Sequence, residues 1–460
     1  MDIKINRAQL RNKIHGCFIG KNIGGTMGAP FEGKRELLDI PGYTTPKGEP
    51  LPNDDLDLQL VWLKAMEQNG PHAISANIIG EYWLTHICPH WNEYGIGKAN
   101  MGKGILPPLS GELYNDDWRH SNGAWIRSEV WACLAPGFPN ISIKYAIMDA
   151  CIDHGISEGT IGEIFTAALE SIAFVENNVR TIIEKALEYI PESSRVARCV
   201  RLVMQEYDKK TPYKVTRDLV MEEVADLGWF QAPGNIAFTV IGLLYGEGDM
   251  EKSLIYAINC GDDTDCTAAT CGAILGIVNG ADGVPEDLKG YIGDRIVTGC
   301  INICYSHTIP STCKELTERI MRMLPSVLYA HGVYAEYVDA ACADVKCVDA
   351  ALIDAAAGVT ADALNADKTC AESNDTVFIE YCKETAFKVL AGYSLDYLSR
   401  SPRSFEISGG HFLKAVVEYE KDPVIAPGET FPIRITFHHL YEQTLLANVD
   451  VTLPEGFTAN

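Results

Sequence analysis

The sequence is poor in positive charge, in long apolar runs and in paired cysteine motifs. Among 460 residues, 38 Lys and Arg stand against 62 Asp and Glu, a formal charge of −24. Proteins that track nucleic-acid backbones or anionic membrane surfaces rely on clustered Lys and Arg, so both classes are excluded. The longest mostly apolar stretches, Ile236–Tyr245 and Ala268–Val278, are too short to cross a bilayer as single helices. The opening MDIKINRAQLRNKIHG is charged throughout and lacks the apolar core of a secretory signal. A soluble, cytoplasmic protein is expected. The 15 Cys contain no C-x-x-C, and Cys260/Cys266/Cys271 and Cys300/Cys304/Cys313 lack zinc-like spacing with His. Reduced, buried thiols are expected. His86 and His90 lie four apart, but Pro89 between them breaks the helix that a zinc pair would need.

What is present is ordinary globular composition, 47% hydrophobic and 22% charged, at a length that suggests two to three domains. From about Ala8 to Pro325 the pattern is helical. Thr160-Ile161-Gly162-Glu163 reads as a capping box ahead of Ile161, Ile164, Phe165, Ala168, Leu169 and Ile172, which recur on one helical face. Further helices are expected at Val179–Ile190, stopped by Pro191, and at Arg195–Tyr207. No tandem repeat is found. Residues 326–403 form a mixed connecting region. Beyond Ser404 the period becomes two, in Leu413/Ala415/Val417/Tyr419, in Phe431/Ile433/Ile435/Phe437 and in Ala447/Val449/Val451/Leu453. The expected architecture is therefore mainly α, with an all-helical domain over 1–325 and a smaller β-rich, sandwich-like module over 404–460. Three strands make a poor independent sheet, so that module is either incomplete or completed against the helices.

Two carboxylate clusters lie more than 200 residues apart, each just before a helix. Asn53-Asp54-Asp55-Leu56-Asp57 leads into the apolar stripe Leu58, Val61, Trp62, Ala65 and Met66, closed by Asn69-Gly70-Pro71. Gly261-Asp262-Asp263-Thr264-Asp265 leads into Ala269, Gly272, Ala273 and Gly276, small residues on one face that permit close helix packing. Helix capping explains one or two of these acids. Brought together, the rest would need a cation, and hard oxygen donors suit Mg²⁺, Mn²⁺ or Ca²⁺. An EF-hand is ruled out, because Leu58 and Lys64 stand where its Gly and Glu belong. Asp263-Thr264-Asp265-Cys266-Thr267 also has the D-x-D-x-T form of aspartate phosphatases, which requires a buried strand before it.

Taken in order, the motifs resemble an ADP-ribosylglycohydrolase of the dinitrogenase-reductase-activating type over roughly residues 10–300. Gly16-Cys17-Phe18-Ile19-Gly20 and Gly28-Ala29-Pro30-Phe31-Glu32 resemble its N-terminal signature. Asn53-Asp54-Asp55 stands where the family has Thr-Asp-Asp, and Asn122-Gly123-Ala124 with Arg127 resembles its N-G-x-x-R loop. Asp153-His154-Gly155 falls at the expected Thr-His or Ser-His pair, and Asp263-Thr264-Asp265 matches its D-T-D.

The resemblance implies an all-α fold that holds two divalent ions, Mg²⁺ or Mn²⁺, between the clusters. It also implies hydrolysis of the glycosidic bond between ADP-ribose and an acceptor, with an ADP-ribosylated protein or small molecule as substrate. Metal ligands would be Asn53, Asp54, Asp55, Asp263, Asp265 and Cys266, and catalytic carboxylates Glu32 and Asp55. His154 and the Asn122-Gly123-Ala124 loop would face the distal ribose and diphosphate, and the glycine loops at Gly102 and at Ser110-Gly111 are, on their chemistry, further candidates for the diphosphate. Carboxylates suit an oxocarbenium-like transition state, and glycine loops bring backbone N–H groups to a diphosphate. This chain departs from the pattern at Asn53 and Cys266, where the family commonly has Thr, and at Gly25, where it has Asp. Cys is soft and matches Mg²⁺ poorly, so fewer than two ions, a ligand role for Thr267, or a changed substrate follow as expectations. A catalytically silent binding or structural relative is the alternative reading, and an aspartate phosphatase a weaker one. Trp125, Trp131, Trp229 and Phe230 are candidates for stacking on adenine, weighed against core packing.

Overall fold

The computed structural model describes residues 2–338, residue 347, the segments 404–408, 413–420 and 428–439, and residues 453, 456 and 458. The chain opens with β1 (Asp2–Asn6) and continues through α1 (Arg7–Gly28), α2 (Asp54–Asn69), α3 (Ala76–His86), α4 (Asn92–Gly102), α5 (Leu109–Glu112), α6 (Glu129–Leu134), α7 (Pro139–Ala150) and α8 (Glu158–Ala173). The second half of the helical region holds α9 (Val179–Ala186), α10 (Arg195–Asp208), α11 (Tyr213–Glu223), α12 (Ala232–Tyr245), α13 (Met250–Asn259), α14 (Thr264–Asn279), α15 (Glu286–Ile292) and α16 (Cys313–Ala330). Then follow β2 (Tyr334–Val338), β3 (Ser404–Ser408), β4 (Leu413–Tyr419) and β5 (Ile433–His439). Mainly α with small sheets is the observed class. Among the described residues no helix is long and apolar enough to cross a membrane.

Several boundaries differ from the sequence reading for local reasons. Helix α8 starts at Glu158 and is capped by Ser157, whose side chain accepts from Gly159 N, so Thr160 and Glu163 are not a capping box. Thr160 Oγ1 instead donates to Gly155 O at 2.7 Å, and Glu163 lies fully buried inside the helix. Helix α16 carries Pro325 internally and continues to Ala330. Strand β1 was not anticipated; it pairs in parallel with β2, Asp2 opposite Tyr334. The two period-two segments meet in β4 and β5, with Ala415 opposite Phe437 and Val417 opposite Ile435, and β3 adds antiparallel to β4. The expected strand around Ala447–Val451 lies outside the described residues, as does most of the connecting region.

The core is organised around α1 and α14, which cross antiparallel. Gly16, Gly20, Gly24 and Gly28 line one face of α1 at four-residue spacing and meet Gly276, Gly272, Ala268 and Thr264. A Cβ on Gly20 would lie 2.0 Å from Gly272 O, and one on Gly24 2.1 Å from Ala268 O, so backbone touches backbone. Both helices are buried on every side over this stretch, which is why neither shows a polar face. Helices α12 and α13 pack on α14, and α2 and α16 pack on α1. The crossing delivers the C-terminal end of α1 to the N-terminal end of α14, where the site lies.

Candidate active site and metal centre

Each acidic cluster is placed by a helix start. Asn53 caps α2 with Oδ1 accepting from Asp55 N at 2.8 Å, which aims Asp54 and Asp55 out of the first turn. Asp263 is the cap residue of α14, and Asp265 and Cys266 project from its first turn. Glu32 ends the short turn Ala29–Phe31 that follows α1. That turn is stapled to the second cluster: Gly33 N donates to Asp262 O at 2.8 Å, and Asp262 N to Lys34 O at 2.7 Å. Asp262 and Gly261 sit at φ 67° and 79°, the left-handed conformation that lets the loop reverse here.

The clusters meet across a cleft of 720 Å³. Carboxylate oxygens of Glu32, Asp263 and Asp265 lie within 4.8 Å of one another, and so do donor atoms of Asp55, Asp265 and Cys266. Asp265 belongs to both groups. Asp263 Oδ1 and Asp265 Oδ1 are buried without a hydrogen-bond partner, and Asp55 Oδ2 has only Lys21 Nζ at 3.5 Å. Like charges at this spacing push proton affinities up. The Asp265 charge, then burial, then Asp54 raise Glu32 to about 8, and burial followed by Asp265 raises Asp54 to about 6. Burial and neighbouring acids raise Asp263 as well. Buried, partnerless oxygens held close together are the arrangement that a divalent cation satisfies, so the donor set fits one.

Neighbouring side chains fix these acids. Asn122 Nδ2 donates to Asp263 Oδ2 at 2.7 Å, and Tyr94 Oη donates to Asp54 Oδ2 at 3.0 Å. Gly123 lines the cleft, where a Cβ would lie 2.2 Å from Glu93 Oε1. Lys21, fully buried in α1, donates to Glu129 Oε1 and to Ile126 O, both at 2.7 Å. Although burial opposes its charge, Glu129 and Asp55 keep Lys21 firmly protonated.

The structure brings together Glu32, Asn53, Asp54, Asn122, Gly123, Asp263, Asp265 and Cys266 on the cleft wall. Other expected site residues stand elsewhere. Asp55 is fully buried between Lys21 and Cys266, so it cannot reach a substrate as a catalytic group. Asn53 spends its carbonyl oxygen on the cap, and its Nδ2 fills the space where a Cβ on Gly25 would sit, 2.0 Å away. The departures at positions 25 and 53 are thus one packing event. Thr267 donates to Thr264 O inside α14 and offers nothing to the cleft.

His154 is fully buried, held by Asp153 Oδ1 at 2.9 Å and Ser121 Oγ at 3.3 Å, and supports the Asn122 loop from behind. Ser110 Oγ donates to Ile152 O, Gly111 packs on the backbone of Asp153–Gly155, and Ala124 is buried. Gly102 is exposed at the end of α4, outside the cleft lining. Arg127, fully buried, binds Asp149 and Asp153 and donates to Gly123 O at 2.6 Å, so it shapes the loop without touching the cleft. Among the four candidate aromatics only Phe230 lines the cleft, while Trp125 and Trp131 are fully buried. The sequence reading missed His90, Trp91, Glu93 and Tyr94 at the start of α4, and Gly299 and Cys300 opposite. A lone lysine inside the apolar, glycine-rich stretch of α1 was a legible signal for Lys21. Helix α13, not a strand, precedes Asp263, which removes the phosphatase reading.

A family model described as ADP-ribosylglycohydrolase matches residues 6–325. Curated relatives include the ADP-ribosylhydrolase ARH3 of Homo sapiens, 23% identical over 42% of this chain and 61% of its own length. The ADP-ribosylhydrolase ARH3 of Mus musculus is 24% identical over 42% of this chain and 60% of its own. The chain thus spans about three-fifths of the relatives it matches. A solved ADP-ribosylglycohydrolase-related protein complex covers 69% of this chain and 99% of its own, at TM-score 0.45 and 21% identity.

Proposed function

The chain belongs to the ADP-ribosylglycohydrolase family, and on that premise we propose that it is a divalent-metal-dependent hydrolase of the glycosidic bond between ADP-ribose, or a related ribosyl group, and its acceptor. The observation that carries this reading is the convergence of Glu32, Asp54, Asp263 and Asp265 on one cleft wall, with buried oxygens that lack partners. We assign the activity to residues 1–325. Asp54, Asp55, Asp263 and Asp265 would hold Mg²⁺ or Mn²⁺. Such an ion supplies a Lewis acid that orients ribose hydroxyls and raises the acidity of water.

The chain's own groups do the rest. Glu32 is exposed to the cleft, where its carboxyl group can pass a proton between a water and the departing acceptor. Once ionised, it stabilises positive charge building at the anomeric carbon. Asn122 fixes the rotamer of Asp263, and Tyr94 that of Asp54. Gly123 lets Glu93 and Tyr94 close against the loop backbone at the cleft, and Phe230 and Trp91 add apolar faces to its lining.

The test is to incubate purified protein with ADP-ribosylated arginine, ADP-ribosylated serine and small-molecule ADP-ribosyl substrates, with Mg²⁺, Mn²⁺ or chelator. Metal-dependent release of ADP-ribose that disappears in Asp54→Ala and Asp263→Ala is the expected result. Activity surviving both substitutions would sink the assignment. Binding without turnover would favour the silent relative.

A further inference from the structure

Fifteen cysteines are present, and most of those buried in the helical region sit among apolar neighbours. Cys266 does not. It stands in the first turn of α14, only 5% exposed yet on the cleft wall. Its Sγ lies 3.3 Å from Asp55 Oδ1, and Asp54, Asp263 and Asp265 are the other charges around it. As a neutral thiol it donates one weak hydrogen bond, to Asp55 Oδ1, which gives no reason for three further carboxylates around it.

From this geometry we infer that the centre is split in chemical character: Glu32, Asp263 and Asp265 form an all-oxygen place, while Asp55, Asp265 and Cys266 form a mixed thiolate–carboxylate place that selects a thiophilic divalent ion, of the Zn²⁺ or Cd²⁺ class, over Mg²⁺. The inference rests on the metal reading given above. Two features of these residues support it. Asp265 Oδ1 is buried without a partner, and Asp55 Oδ2 faces only Lys21 Nζ at 3.5 Å, so both oxygens retain free lone pairs. The sulfur-to-oxygen spacing of 3.3 Å also suits neighbouring ligands of one ion, given metal–sulfur and metal–oxygen bonds of about 2.3 and 2.1 Å. Thr267, the neighbouring hard donor, is fully buried and is not among the residues lining the cleft. Binding displaces the thiol proton to solvent as the metal–sulfur bond forms, and no electron is transferred.

The experiment is a titration of the chelator-stripped full-length protein with Cd²⁺, read by calorimetry and by the ultraviolet sulfur-to-cadmium charge-transfer band. Wild type minus Cys266→Ser isolates the band due to this residue, because the other thiols are common to both. The expected difference spectrum saturates at one ion. Cys266→Ser weakens Cd²⁺ binding by at least the roughly tenfold that even an outer partner of a metal ligand is worth. Mn²⁺ binding should persist in the variant, and Cys266→Thr should move selectivity toward Mg²⁺. Cys271→Ser, which removes a buried thiol from the same helix, should leave the Cd²⁺ band unchanged. Circular dichroism melts check folding, and Cys266→Thr serves if Cys266→Ser does not fold. A wild-type-minus-variant spectrum with no band, at Cd²⁺ levels where the wild type binds, overturns the split centre while leaving a metal-dependent hydrolase standing. Failure to bind any divalent ion overturns both metal readings, and the ADP-ribose release assay then decides the hydrolase separately.

Discussion

The antiparallel crossing of α1 and α14 can be broken by a single methyl group. A Cβ on Gly20 would lie 2.0 Å from Gly272 O, whereas ordinary contact begins near 3.4 Å. The helices would have to part by about 1.4 Å, since backbone on both sides leaves no side chain to rotate away. Overpacking of this kind costs about 1–3 kcal/mol, and the upper end applies here. Ala returns about 1 kcal/mol through its better helix propensity. A net loss of about 2 kcal/mol is therefore expected for Gly20→Ala. Urea unfolding followed by circular dichroism reads it as a lower midpoint, by roughly half a molar or more, with little change in slope. Gly290→Ala in α15 is the control: the nearest atom to its Cβ is Glu286 Oε1 at 3.6 Å, so it should be neutral or slightly stabilising. Because the crossing sets Glu32 against Asp263 and Asp265, Gly20→Ala should also lower turnover, by up to about a hundredfold for a displacement near 1 Å. Wild-type stability in Gly20→Ala would refute the tight crossing.

Two further outcomes follow from the buried charges. Lys21→Met removes the cation shared by Glu129 and Asp55, both fully buried, and should cost about 3–5 kcal/mol, with part recovered in Lys21→Met/Glu129→Gln. A loss below about 1 kcal/mol in the same urea assay would show that the pair is not needed. In chelator-treated protein, Glu32 and Asp54 are raised to about 8 and about 6, above the ordinary carboxyl values near 4. The native state then binds more protons than the unfolded state, so stability should fall as pH rises from about 4 to about 8. Melting temperatures at both ends of this range check it. Saturating Mn²⁺ should flatten the trend, and a flat profile without metal would contradict the crowding of these acids.

The family, the helical class and the two acidic clusters were legible in the sequence because each depends on short-range pattern. An apolar stripe at helical spacing, a cap residue and Asn69-Gly70-Pro71 define α2 without reference to the rest of the chain. The small residues of α14 announced a close crossing, although not its partner. Boundaries were less secure where a neighbour in space decided them. Ser157 took the cap of α8, while Thr160 turned to Gly155 O and Glu163 went into the core.

The sequence by itself determined which residues could bind a cation. Only the tertiary structure decided which of them face one another. Asp55 and Asp57 share a cluster with Asp54, yet a helix turns successive side chains about 100° apart. Asp54 therefore meets the cleft, Asp55 meets Lys21 and Cys266, and Asp57 accepts from Gly299 N and Cys300 N at 2.7 Å. His154 matched a motif by position but lies behind the loop that the motif serves. Gly25 and Asn53 looked like two separate departures until the structure placed the amide of one in the space left by the other. Contacts between residues hundreds of positions apart are fixed by helix packing, and helix packing is a property of the whole core.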